Sequence, residues 1–157
     1  MRRDTLSGYL FVLLGDDNDL FRDEISSIGV TNLIFETDCI PTQKLVNENK
    51  YKFVTSDLFT ERYFTEDYLF KWTTELGNFG IVKNIVYNAL RKGEHLVCSL
   101  SFDNVFGFIN NRKVPKKNYI LINVSKNGSY PTGFDEYSFD FTTNDINEIC
   151  AIIKRHI

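Results

Sequence analysis

Apolar residues occur along this chain in short unbroken runs and at helical spacings, and the two patterns take turns. Residues 8–14 (GYLFVLL) are almost all apolar and stop at Gly15, the mark of a strand buried on both faces. Behind them Leu20, Phe21, Ile25 and Ile28 share one side of a helical wheel, which predicts a helix over 20–28. TNLIFE (31–36) predicts a short second strand, and 51–54 another. Residues 56–62 predict a short helix with Thr55 or Ser56 as its cap and Asp57 near its start. YLFKWTT (68–74) alternates in part, as a strand does, and ELGNFG (75–80) turns it. Ile81, Ile85 and Ala89, with Val82 and Val86, recur every fourth residue and predict a helix over 81–91 that stops at Gly93. Residues 95–100 and 119–124 read as buried strands, 103–109 as a short helix and 138–142 as a last strand. A final helix carries Ile146, Ile149, Ile152 and Ile153, capped by Thr143 or Asn144.

Strands alternating with helices predict an α/β fold. Its parallel core sheet is expected from strands near 9–14, 32–36, 96–100, 119–124 and 138–142. The short strands between 35 and 80 interrupt that alternation and predict a small inserted mixed lobe over about 37–79. A length of 157 residues suits a single domain over 1–157 with a substantial core.

Composition narrows the classes. With 43% hydrophobic and 15% aromatic residues, the chain is not a disordered one. A formal charge of −3 gives no general pull toward nucleic acid or anionic membranes. Cys39, Cys98 and Cys150 form no CxxC pair and are odd in number, as expected of reduced thiols in a cytoplasmic protein. The first residues, MRRDTLSGYLFVLLG, have the loose outline of a signal peptide. Their apolar run is short, acidic residues follow at once and no small-residue cleavage site appears, so a first core strand is the reading. No segment is long enough to span a membrane. His95 and His156 lack the partner spacing of a metal or catalytic site, and no serine sits in a nucleophile elbow, so neither metal nor catalytic residues are assigned.

The turn after the first strand carries the sharpest question. Strand, glycine turn and helix is the construction of a phosphate-binding loop, yet this turn holds Asp16, Asp17 and Asp19. The glycine-rich signature G-x-x-x-x-G-K-[ST] keeps only Gly15; its second glycine falls near Leu20 and its Lys–Ser pair near Phe21 and Arg22. Three carboxylates suit a helix start but repel a phosphate. A calcium loop fails as well, because its frame breaks at Leu20 or Phe21 and no Glu follows at the required distance. The reading is a retained strand–turn–helix that has lost phosphate binding.

A run of motifs in order then resembles the guanylate kinase family. Tyr51-Lys52-Phe53-Val54-Thr55 is similar to its D-Y-x-F-V-S motif, Tyr68-Leu69-Phe70-Lys71-Trp72 to E-F/L-x-E-W, and Gly77-Asn78-Phe79-Gly80, one residue shorter, to G-N-x-Y-G-T. TDCIPTQ (37–43) resembles T-T-R-x-P-R, Gly93 the end of the following helix, and 136–157 the closing strand and helix. The match runs in order from about Gly8 to Ile157. It implies a P-loop-type guanylate kinase-like fold: a parallel core sheet flanked by helices, with the inserted lobe binding the nucleoside monophosphate.

The same resemblance subtracts the chemistry. The two phosphate-gripping arginines fall at Cys39 and Thr42, and the guanine-reading Glu falls at Lys71. Tyr51 keeps its match to a phosphate-contacting tyrosine, although packing is the preferred reading; Phe79 replaces another tyrosine and loses its hydroxyl. Ser99 and Ser101 stand where acidic residues precede the I-D-x-Q-G turn. SKNGSYPTGFDEY (125–137) replaces the arginine-rich lid that would stabilise the transferring phosphoryl group. The resemblance thus implies a catalytically inactive member acting as a protein-interaction module, with no cofactor and no ATP or GMP binding expected. Its partner is a protein or peptide held at Cys39, Thr42, Tyr51, Lys71 and Phe79. The alternative is a divergent nucleoside monophosphate kinase or nucleotide binder that uses Arg22 and Lys71. Arg112, Lys113, Lys116 and Lys117 form the densest basic stretch, either a solvated loop or a patch for an acidic partner; without interleaved aromatics a nucleic-acid role is disfavoured.

Overall fold

The computed structural model describes residues 5–14, 24–25, 27–110, 113–124, 130, 133–134 and 138–157, with Phe106 as backbone alone. In chain order its elements are β1 (Leu10–Leu14), β2 (Thr31–Asn32), β3 (Phe35–Thr37), α1 (Gln43–Glu48), β4 (Tyr51–Phe53), α2 (Ser56–Phe64), β5 (Tyr68–Thr74), β6 (Gly77–Val82), α3 (Lys83–Arg91), β7 (Leu96–Leu100), α4 (Phe102–Asn110), a single 3-10 turn (Lys116–Asn118), β8 (Tyr119–Asn123), β9 (Phe141–Thr142) and α5 (Ile146–His156). The chain divides into two compact units, 1–32 with 89–157, and 33–88.

The first unit is built on a parallel sheet in the order β2-β7-β1-β8-β9. All five residues of β1 and of β8 are buried, which is why β1 and the first four residues of β8 read as apolar runs. Ile149, Ile152 and Ile153 place three side chains of α5 on one face, packed with Phe11, Leu13, Ile120 and Ile122. Each such burial stabilises the unit by roughly 1.5–3 kcal/mol. Asp145 caps α5 by accepting the Asn147 N–H at 2.9 Å, while Thr143 donates to Glu148 at 2.9 Å. The cap therefore lies one residue beyond the two candidates read from sequence.

The second unit holds a four-stranded mixed sheet, β4-β3-β6-β5, in which β3 and β4 are parallel and the other pairs antiparallel. One face carries Cys39, Leu45 and Phe79 with Tyr51, Phe53 and Trp72 against them; Leu45 brings α1 there. The opposite face carries Phe59 of α2 against Tyr68 and Val82.

Several elements differ from the sequence reading. TNLIFE is two strands rather than one: Thr31–Asn32 joins the parallel sheet and Phe35–Thr37 the mixed one. Ile81 and Val82 end β6, paired with Phe70 and Tyr68, so the helix begins at Lys83. Their spacing from Ile85 and Val86 is coincidental, and as β-branched residues they suit a strand. GNFG is likewise strand, and the turn shrinks to Glu75 and Leu76. The last strand is only Phe141–Thr142. Helix α1 has no counterpart in the sequence reading. Thr42 caps it, accepting the Leu45 N–H at 3.2 Å, and Asn49 ends it at φ 52°. Of the helix read over 20–28, Glu24 and Ile25 are helical and Ile25 is fully buried. The carboxylate turn, Arg22 and Arg112 lie outside the described residues.

Candidate functional site

The lobe sheet sorts the candidate residues onto two faces. Trp72 pairs with Phe79 across β5 and β6, and their rings stack at 5.7 Å. Phe79 is 5% exposed and its ring lies 5.5 Å from that of Tyr51. Phe35 closes edge-on against Trp72 at 5.2 Å. Cys39, also 5% exposed, packs into this cluster beside Leu45. Cys39, Tyr51 and Phe79 are thus brought together as an apolar cluster. Thr42 is exposed beside it, with its hydroxyl engaged in the α1 cap.

A polar clamp holds the end of β3 against the β5–β6 hairpin. Asn78 donates its backbone N–H to Asp38 Oδ1 at 2.8 Å and its amide to Oδ2 at 2.9 Å. Thr37 donates to the Asn78 carbonyl at 2.8 Å and accepts the Cys39 N–H at 3.1 Å. Gly77 is required here: φ is +147°, and a Cβ would lie 2.8 Å from Asp38 Oδ1 and 2.9 Å from Cys39 Sγ. Gly80 is required by closeness, since a Cβ would sit 2.6 Å from the Tyr68 ring. The G-N-x-G pattern at 77–80 therefore has a packing role in this chain.

Lys71 is one residue from Trp72 along β5 and so faces the other way. Its ammonium lies 4.6 Å above the Tyr63 ring of α2. The structure separates it from Cys39, Thr42, Tyr51 and Phe79. That second face holds a polar group absent from the sequence reading. Glu36, 2% exposed, accepts the Tyr68 hydroxyl at 2.9 Å. Arg62 Nε also lies 2.9 Å from Glu36 Oε1, but its N–H is off the line of centres, so the contact is one of charge more than a directed hydrogen bond. Burial, then the hydrogen bond to Glu36, push the Tyr68 phenol well above its ordinary range. The available signal was a lone glutamate within an apolar strand, which needs a partner when buried.

The basic stretch is partly neutralised. Lys116 bonds both oxygens of Asp140 at 3.0 Å and lies 4.8 Å over the Tyr119 ring. Asp140 in turn accepts the Leu121 N–H at 2.8 Å, and its charge, after burial, raises the Tyr119 phenol. Lys113 and Lys117 are exposed. His95 accepts the Tyr9 N–H on Nδ1 at 3.1 Å, its ring stacked on Tyr9, and burial lowers its pKa. His156 Nδ1 lies 2.7 Å from the Ile152 carbonyl. Burial, then the Glu24 charge, raise the Cys150 thiol, which is the wrong direction for a nucleophile. Ser99 Oγ is buried without a partner among the described residues, and Ser101 Oγ accepts from the Asn104 amide at 3.0 Å. Among the described residues no group of His, Cys, Asp and Glu could hold a metal ion, and no helix is long and apolar enough to cross a membrane.

A crystal structure of guanylate kinase from Anaplasma phagocytophilum matches 96% of this chain and 85% of its own length, with a TM-score of 0.68 and 13% sequence identity. The chain has a guanylate kinase-like fold. The parallel five-stranded sheet and the mixed four-stranded sheet are its two parts. At that identity the likeness is one of fold alone. No protein-family model matches the sequence, and no curated protein matches it.

Proposed function

We propose that this guanylate kinase-like fold transfers no phosphate and serves as a protein-interaction module. One observation carries the reading. At the two positions where the resemblance expects phosphate-gripping arginines, Cys39 is packed in an apolar cluster with Phe79, and Thr42 spends its hydroxyl on the α1 cap. Neither offers the planar cationic fork that binds a phosphate bidentately. Lys71, at the guanine-reading position, lies over Tyr63 on the opposite face of the sheet. The losses at the carboxylate turn and in the lid segment, argued from sequence, point the same way.

The test is calorimetric titration of the whole chain with ATP, GMP, GDP and dGMP, beside a coupled assay of phosphate transfer. No heat of binding and no turnover are expected. Micromolar affinity for any of the four, or measurable turnover, would overturn the proposal in favour of a divergent kinase or nucleotide binder.

A further inference from the structure

Seven of the nine large apolar side chains that stand exposed among the described residues belong to the 33–88 unit. Phe64, 78% exposed, ends α2 and has the exposed ring of Tyr63 5.6 Å away. The helix fixes what surrounds it. Phe59 and Arg62 turn inward, to Tyr68 and Glu36. Asp57, Glu61 and Phe64, at i, i+4 and i+7, share the outward stripe. Asp57 has a local role at the positive end of the helix; Glu61 and Phe64 have none. Neither Asp57 nor Glu61 makes an ion pair among the described residues.

The local charge selects the partner. Residues 56–67, the helix and the turn after it, carry Asp57, Glu61, Glu66 and Asp67 against one cation, Arg62. Arg62 is already engaged with Glu36 and, at 3.9 Å, with Asp67. An acidic segment would meet this face with like charge. A segment that carries lysine or arginine beside an apolar side chain meets both features. Glu66, left-handed at φ 58°, ends the helix just after Phe64.

We propose that the Asp57–Glu61–Phe64 stripe of α2 is the docking surface of this module, and that its partner is a basic protein segment with an apolar anchor. This rests on the interaction-module reading above. The experiment pans a random peptide library against the whole chain and measures the enriched peptide by fluorescence anisotropy. Enriched peptides should carry Lys or Arg with aliphatic or aromatic residues. Phe64→Ala should weaken binding about tenfold or more. Glu61→Lys should weaken it several-fold, and added salt should do the same because exposed charges are screened. Both side chains are exposed, so both variants should melt with the wild type. Failure to enrich any peptide overturns the proposal, as do acidic enriched peptides or equal binding by Phe64→Ala. Peptides that bind elsewhere leave the module reading standing while this surface falls; only nucleotide binding or turnover overturns the module reading itself.

Discussion

Replacing Arg62 by methionine removes the cation beside a carboxylate that water barely reaches. Glu36 would keep the Tyr68 hydroxyl and lose the charge 2.9 Å away. Breaking a fully buried pair from one side costs about 3–5 kcal/mol. The Arg62 side chain is 26% exposed, so solvent screens part of that interaction and about 2 kcal/mol is the expected loss. With a urea m-value of about 1.5 kcal/mol/M, the midpoint should fall by roughly 1.3 M. Trp72 is the single tryptophan of the chain and lies in the lobe sheet, so its fluorescence reports on the unit in question. Glu36→Gln placed in the Arg62→Met background keeps an acceptor for Tyr68 and removes the stranded charge. It should recover most of the loss. A midpoint shift under about 0.3 M for Arg62→Met, or no recovery in the double variant, would refute the assignment of Glu36 as a charge held by Arg62.

Two further outcomes follow from single residues. Glu66→Gly relieves a left-handed backbone and should stabilise the lobe by about 0.5–1 kcal/mol, read from the Trp72 urea transition. His95 has its pKa lowered by burial and accepts the Tyr9 N–H, so the folded state favours the neutral ring. That contribution is complete above the unfolded pKa of about 6.5 and is lost as pH falls toward the lower folded value. Denaturation at a series of pH values below 7 should show falling stability, and His95→Asn should flatten the slope.

How far the sequence could be read depended on whether a pattern had one physical cause. Strands β1 and β8 were legible because burial on both faces selects apolar residues, with Asn123 at the end of β8 the one polar exception. Strand β5 was legible to its ends, Tyr68 and Thr74. TNLIFE was misread because six residues serve two sheets, and the break at Leu33 and Ile34 leaves no polar mark. The helix α1 is short enough that its signal is its ends: a proline, the Thr42 cap and Asn49 in the left-handed region. At the candidate site the sequence supplied positions but not faces. Alternation along β5 opposes Lys71 to Trp72, yet that becomes an argument only once Phe79 is known to pair with Trp72. The lone Glu36 in an apolar strand signalled that a partner was needed, but which partners was out of reach, because they lie in α2 and β5 and no local spacing links them to β3.

The same packing bears on whether the phosphate grip could be restored. Cys39→Arg returns the residue type that the resemblance expects. The thiol it replaces lies in a cluster with Leu45 and Phe79, and Cys39 Sγ is one of the atoms a Cβ on Gly77 would strike. A guanidinium there must displace packed rings or leave an unpaired charge against them, and overpacking alone costs about 1–3 kcal/mol. The resemblance's second arginine position, Thr42, is held by the α1 cap, so Thr42→Arg forfeits about 1 kcal/mol of capping as well. The double variant should therefore unfold in urea well before the wild type and still give no heat with GMP. If it folds with an unchanged midpoint and binds GMP at micromolar concentration, the apolar cluster is no barrier to phosphate binding, and the interaction-module reading loses the observation that carries it.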